Sequence, residues 1–278
     1  MKAKSPQPSL PNASSTLSTA SLNFIRFSTF VVFGAVALGA VVCATDSSAA
    51  CPNWPGCYEG QITPEIQLNP IIEFVHRVFS VSCAPVIIIS GFLLRRHPAR
   101  WLPWIALLGA LGAGIFGMMT IWWGLTPFQG MLDLWCALTS LICMVVICAL
   151  AHPKPNATRA RVAGIALIGL ALLHGTGILV AGQGSFTRCI GWPLGILDVD
   201  HTAPLQIFRI VLALALIGTF IWLRSIIVFI GVIAELLLGI LIRLTELNDF
   251  TGSLYGIVAV SIITAVAWEW GKAWHVKA

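Results

Sequence analysis

Apolar residues run through this chain in long unbroken blocks, separated by short polar punctuation, with neither the alternation of a strand nor the one-sided stripe of a soluble helix. Blocks of about 20 apolar residues are what a helix needs to cross roughly 30 Å of hydrocarbon. Eight such blocks are found, at approximately 24–44, 71–94, 101–123, 128–151, 162–182, 203–223, 225–243 and 250–271. The joint between the sixth and seventh is the tightest, at Leu223-Arg224-Ser225. The pattern predicts an all-α, polytopic membrane protein with eight transmembrane helices.

Charge then orients the helices. With a cytoplasmic N-terminus, the inner segments hold Lys2, Lys4, Arg26, Arg95, Arg96, Arg100, Lys154, Arg159, Arg161, Arg224, Lys272 and Lys277, while the outer loops keep Arg188 and Arg243. That is a strong positive-inside bias, and it puts both termini in the cytoplasm. The net charge of +5 is therefore topological. The basic residues are spread along one membrane face and form no stripe of the kind that nucleic acid requires, so no nucleic-acid partner is expected.

Composition agrees: 58% of residues are hydrophobic, 10% are charged, and the mean hydropathy is +0.90. No soluble domain has that balance. Residues 1–22, rich in Ser, Thr and Pro, read as a disordered cytoplasmic tail. Ser-Ser-Ala-Ala before Cys51 imitates a cleavage site, but the apolar run ahead of it is long for a signal peptide, and an uncleaved first helix is expected.

The same plan occurs twice. CPNWPGC from Cys51 returns as CIGWPLG from Cys189, FVHRVFSV from Phe74 as QIFRIVLA from Gln206, and LTPFQGMLDLW from Leu125 as LNDFTGSLYGI from Leu247. Two tandem four-helix bundles are predicted, 23–151 and 152–278. The register sets His76 opposite Phe208, Arg77 opposite Arg209, Asp133 opposite Tyr255, Trp54 opposite Trp192 and Cys57 opposite Gly195. His76, Asp133, Phe208 and Tyr255 all fall one to two turns below the outer ends of their helices.

Few side chains carry chemistry. Glu73 and His76 are three apart and share a helix face, and an ionisable pair inside a membrane helix points by default to a partner, cavity or cofactor. His76 suits a haem iron in a bundle core, Glu73 suits ligand orientation or proton relay, and Arg77 suits a propionate. A packed polar cluster near the interface is the alternative. Asp133 reads either as a solvated helix start or, through its match to Tyr255, as part of a site. His174 reads as a ligand or as a hydrogen-bonded packing residue. His97, His152 and His275 are boundary residues, and His201 lies in an outer loop.

Cys43, Cys83, Cys136, Cys143 and Cys148 fall in helices and read as small hydrophobes. Cys51, Cys57 and Cys189 face the oxidising side. Cys51 and Cys57 are close enough to close a disulfide loop, either structural or redox-active.

Cys-Pro-Asn-Trp-Pro-Gly-Cys, then Glu-Phe-Val-His-Arg at the start of helix two, then Gly-Leu-Thr-Pro before helix four resembles the haem A synthase family, over roughly residues 28–270. The resemblance implies a membrane enzyme of terminal-oxidase biogenesis that oxidises the C8 methyl of haem O to a formyl group. It implies haem O as substrate, haem b as a further cofactor, and two histidines per half as iron ligands. Glu73, His76, Arg77, Cys51 and Cys57 match the family pattern. The other three histidine positions are Asp133, Phe208 and Tyr255, and the second cysteine pair is reduced to Cys189.

With those departures, His76 is the expected axial ligand, and Arg77, Asp133, His174, Tyr255 and Arg209 are the expected cofactor contacts. Glu73 and His76 are the expected catalytic pair. Expected partners are the lipid bilayer, a haem O synthase, an electron donor, terminal-oxidase assembly proteins and a second copy of the chain. A non-catalytic haem chaperone or oxidase assembly factor is the second reading, and a thiol–disulfide redox membrane protein the third. No Gly-rich nucleotide fingerprint is present, so electrons come from a partner.

Overall fold

The computed structural model describes residues 17–124, 126–180, 203–245 and 248–274. Among these, all regular structure is helical: α1 (Thr19–Ala44), α2 (Leu68–Leu93), α3 (Leu102–Trp123), α4 (Pro127–Ala149), α5 (Ala157–Val180), α6 (Ala203–Leu223), α7 (Ile226–Thr245) and α8 (Asp249–Ala273). Each lies where an apolar block predicts it.

The ends follow local chemistry. Ser18 caps α1, its hydroxyl accepting from the Ser21 N–H, so this helix begins within the stretch read as a tail. Thr126 caps α4 ahead of Pro127, whose missing N–H costs nothing in a first turn. Asn248 and Thr251 form a reciprocal capping box at α8. Between α6 and α7 the chain turns on Arg224, held at φ 49°, while its N–H reaches back to Phe220.

Seven helices are long and apolar enough to cross a membrane, as in an integral membrane protein. α7 has 20 residues, and its apolar stretch among the described residues is Ile226–Ile242. The expectation of eight spans thus meets eight helices among the described residues, seven of them with the length and hydropathy of a span.

Packing is ring-like. α1 packs on α2, α2 on α3, α3 on α4, and α4 returns to α1. In the later part, α5 packs on α6 and α8, and α7 packs on α8, whereas α6 and α7 hardly touch. The two parts meet through α1 on α8, α4 on α5 and α4 on α8. Polar bonds tie the first ring: Ser90 Oγ donates to Ser28 Oγ at 3.0 Å, and Thr29 Oγ1 donates to the Met144 carbonyl at 3.2 Å.

Small residues set the close approaches. An ideal Cβ on Gly256 would lie 2.7 Å from the Ala40 Cβ, and one on Gly271 would lie 2.7 Å from the Ala149 Cβ and 3.0 Å from Val146 backbone. Hydrocarbon gives apolar helices no hydrophobic reason to associate, so such interdigitation and buried polar bonds hold them together. Large apolar side chains such as Phe30, Leu108, Trp123, Ile168, Leu214 and Ile230 are left exposed for lipid.

At the end of the bundle away from the cysteine loop, Glu269 gathers Arg159 at 2.9 Å, Lys272 at 2.8 Å and the Ser225 hydroxyl at 3.4 Å. The α4–α5 connection lies against this end, Lys154 N–H donating to the Lys272 carbonyl and Asn156 N–H to that of Ala273. The carbonyls that close α8 are thereby satisfied.

Gly271→Val is expected to push α8 off α4, because the atoms met are backbone and a methyl with nowhere to move. The cost is about 1–3 kcal/mol, read as a lower thermal midpoint of the detergent-solubilised protein, with Gly114→Val, on an open face, leaving it unchanged.

Candidate functional site

The loop between α1 and α2 folds back over the start of α2. Cys51 and Cys57 form a disulfide and both are fully buried. Beyond them Tyr58 and Gln61 exchange backbone hydrogen bonds at 3.1 and 3.0 Å, closing a small hairpin.

Glu73 and Arg77, one helical turn apart on α2, hold this loop. Arg77 Nη1 donates to the carbonyls of Asn53 at 2.6 Å and Gly56 at 2.8 Å. Its Nη2 donates to the Cys51 carbonyl at 2.6 Å and to Glu73 Oε1 at 2.5 Å. Glu73 Oε2 accepts from the Cys51 N–H at 2.7 Å, and the residue is 3% exposed. Helical spacing brings the pair onto one face, and the planar fork of the guanidinium lets one side chain collect several carbonyls. Glu73, Arg77, Cys51 and Cys57 are therefore one unit, a clamp that fixes the disulfide loop on the helix. The Nε–H of Arg77 takes no part in these bonds.

His76 lies between the clamp residues in sequence but outside the clamp in space. Its Nε2 faces α1, 3.3 Å from where a Cβ on Gly39 would sit, so the glycine makes room for the ring. The imidazole has no hydrogen-bond or ion-pair partner among the described residues. On α2 it falls between the face packed on α1, where Phe79 meets Gly34 and Ser90 meets Ser28, and Gly91, packed on Trp104 of α3.

Asp133 has the matching position on α4. At about 100° per residue it falls between two rows. One is Cys136 and Ser140, packed on Gly109 and Gly112 of α3, and the other is Met144 and Cys148, bonded to Thr29 of α1. It too has no hydrogen-bond partner among the described residues. α2 and α4 occupy opposite corners of the first ring, each packed on α1 and α3. By helical position His76 and Asp133 thus both fall on the side of their helix between α1 and α3, His76 eight and Asp133 six residues from the start of its helix.

The later part is filled differently. Arg209, 2% exposed, donates from Nη1 to Gln206 Oε1 at 3.0 Å. Arg209 also interacts with Tyr255 and His174, and Tyr255, 1% exposed, interacts with Glu235 of α7. His174 donates from Nδ1 to the Leu170 carbonyl at 2.8 Å. Phe208, paired by the repeat with His76, is 46% exposed. The structure brings His174, Arg209 and Tyr255 together, apart from the clamp.

Glu235 and Gln206 are members that the sequence reading did not single out. The signal for Glu235 was present: it is a carboxylate in the middle of an apolar block. Cys189, Trp192, Gly195 and His201 lie outside the described residues. No group of three or more His, Cys, Asp and Glu side chains suited to a bare metal ion occurs among the described residues.

No family model matches the chain. It is similar to the heme A synthase of Lysinibacillus sphaericus (strain C3-41), 23% identical over 249 residues that cover 76% of this chain and 81% of that protein.

Arg77→Ala leaves a buried carboxylate without its cation and three loop carbonyls without their donor, a loss on the order of 3 kcal/mol for one partner of a buried pair. The expected result is a lower thermal midpoint and faster reduction of the Cys51–Cys57 disulfide by a membrane-impermeant phosphine. Arg77→Lys, which keeps charge but not the fork, is expected to fall between.

Proposed function

We propose that this chain is a haem A synthase-like membrane oxidoreductase that takes haem O into its first four-helix ring and converts it to haem A for a terminal oxidase. One observation carries the reading: His76 is an unpartnered imidazole whose Nε2 faces α1 at Gly39, with an unpartnered carboxyl on the diagonal helix. Membrane interiors do not tolerate such groups without a use. The family motifs over Cys51–Arg77 and the similarity to heme A synthase support the same conclusion.

The donor set fits a haem better than a bare ion. A metal ion bound by protein alone takes three or four side-chain ligands, whereas a porphyrin supplies four nitrogens and asks for one or two more. His76, on α2, would hold the iron. Bound haem supplies the oxidising chemistry by which a ring methyl becomes a formyl group, with dioxygen or water as oxygen source and an electron-transfer partner. The protein's own part is to orient and to exclude. The clamp keeps the disulfide loop over the end of α2, one turn from His76, as a lid with fixed position. Glu73, tied to Cys51 and Arg77, couples that lid to the helix that carries the ligand. A propionate contact by Arg77 falls to its Nε–H.

The second half does not fit a haem b held in the family's manner. Phe208 has no ligating atom and is turned outward, and the interior around Tyr255 is occupied by Arg209, Gln206, Glu235 and His174. No step is assigned to it. The division into tandem bundles, 23–151 and 152–278, is supported by exchange symmetry: the α1–α8 and α4–α5 contacts are equivalent when the halves are swapped, and α4–α8 pairs equivalent helices. The positive-inside bias supports cytoplasmic termini and cysteine loops on the outer side.

Loss of three of four family histidines favours a second reading, a haem-binding chaperone or oxidase assembly factor without turnover. The disulfide loop alone supports the third, thiol–disulfide exchange. A haem O synthase as supplier and an oxidase assembly protein as recipient suit either of the first two.

Detergent-purified wild type is expected to carry haem by the pyridine haemochromogen assay, and His76→Ala to lose at least nine-tenths of it at equal protein recovery. Membranes supplied with haem O are expected to accumulate haem A in the presence of the wild type and not of His76→Ala. Haem bound without haem A formed selects the chaperone reading, and no haem bound overturns both.

A further inference from the structure

The two polar positions that the repeat pairs, Asp133 and Tyr255, are treated in opposite ways. Tyr255 is enclosed by protein partners, with Glu235 and Arg209 beside it. Asp133 has no hydrogen-bond partner among the described residues, although it stands in an equivalent turn of an equivalent helix. A carboxyl in the centre of a membrane bundle requires a partner, and none comes from α1, α2 or α3. The diagonal helix of the ring, α2, carries His76.

Resting on the haem reading above, we propose that Asp133 is a positioning residue at the open face of the iron: it is not the second axial ligand, and it hydrogen-bonds a small exogenous ligand of the dioxygen or carbon monoxide class. Three features of the chain carry this. The carboxyl oxygen of aspartate ends one bond nearer the backbone than the Nε2 of a histidine, so from the diagonal helix it stops short of the place a second imidazole would reach. Aspartate is outside the usual set of haem ligands, which are imidazole, thiolate, thioether and phenolate. The surroundings of Asp133 are small: Gly109 and Gly112 on α3 admit the α4 backbone to within contact, and Cys136 and Ser140 are the neighbouring side chains on that flank. Asp133 is the one acidic side chain of α4, and polarity at the distal face of a haem decides whether a bound ligand is stabilised.

The test uses the full chain, purified with its haem or reconstituted with haem b, and carbon monoxide as probe. Wild type is expected to be high-spin when ferric and to bind carbon monoxide when ferrous. Asp133→His restores the longer, ligating side chain and is expected to give a low-spin ferric spectrum with at least tenfold weaker carbon monoxide binding. Asp133→Asn is expected to keep carbon monoxide binding within a few-fold while shifting the C–O stretching frequency, which reports the hydrogen bond to the ligand. A low-spin wild type, or an Asp133→His protein that stays high-spin and binds carbon monoxide like wild type, overturns the proposal while leaving His76 as a haem ligand. An unshifted C–O stretch in Asp133→Asn overturns it even where the histidine variant does not accumulate. Absence of haem from wild type after reconstitution overturns the haem reading itself.

Discussion

Hydrocarbon offers no hydrogen bonds, and that constraint organises everything polar in this molecule. Backbone groups answer it by helix formation. Side chains answer it by gathering into islands, each of which ties together elements that apolar contact alone would not hold. The Glu73–Arg77 clamp joins α2 to the loop that follows α1, and the Glu269 cluster joins α5, the start of α7 and the end of α8. The Arg209–Tyr255–Glu235 cluster joins α6, α8 and α7, whose mutual packing is otherwise uneven.

Against that background the exceptions become informative. His76 and Asp133, on the diagonal helices of the first ring, lack the partners that every island supplies. In the second half the aligned positions are a lipid-facing Phe208 and an enclosed Tyr255. The polar groups of the first four helices are thus left without side-chain partners, while those of the last four are tied to one another. The asymmetry is one of satisfied and unsatisfied hydrogen-bonding capacity, since both halves hold polar side chains.

Helix number and position were legible because the apolar blocks are long and their punctuation is sharp; each of the eight helices lies on a predicted block. Glu73 and Arg77 stood out as chemistry-bearing, but their use did not. The guanidinium bonds to backbone carbonyls of Cys51, Asn53 and Gly56, and carbonyls carry no sequence signature. Glu235 was readable as a carboxylate inside an apolar block, yet its partner Tyr255 lies 20 residues away on the next helix, which only folding reveals. The projection of Asp133 toward the centre likewise depends on which neighbours flank α4, and spacing within one helix cannot give that.

The Glu269 cluster has a consequence for the lipid around the protein. One carboxylate there meets two cations, Arg159 and Lys272, so pairing leaves a positive charge at that end of the bundle. Basic residues near a membrane surface draw anionic headgroups, at about 1 kcal/mol each. That end of the chain therefore favours a leaflet rich in anionic lipid.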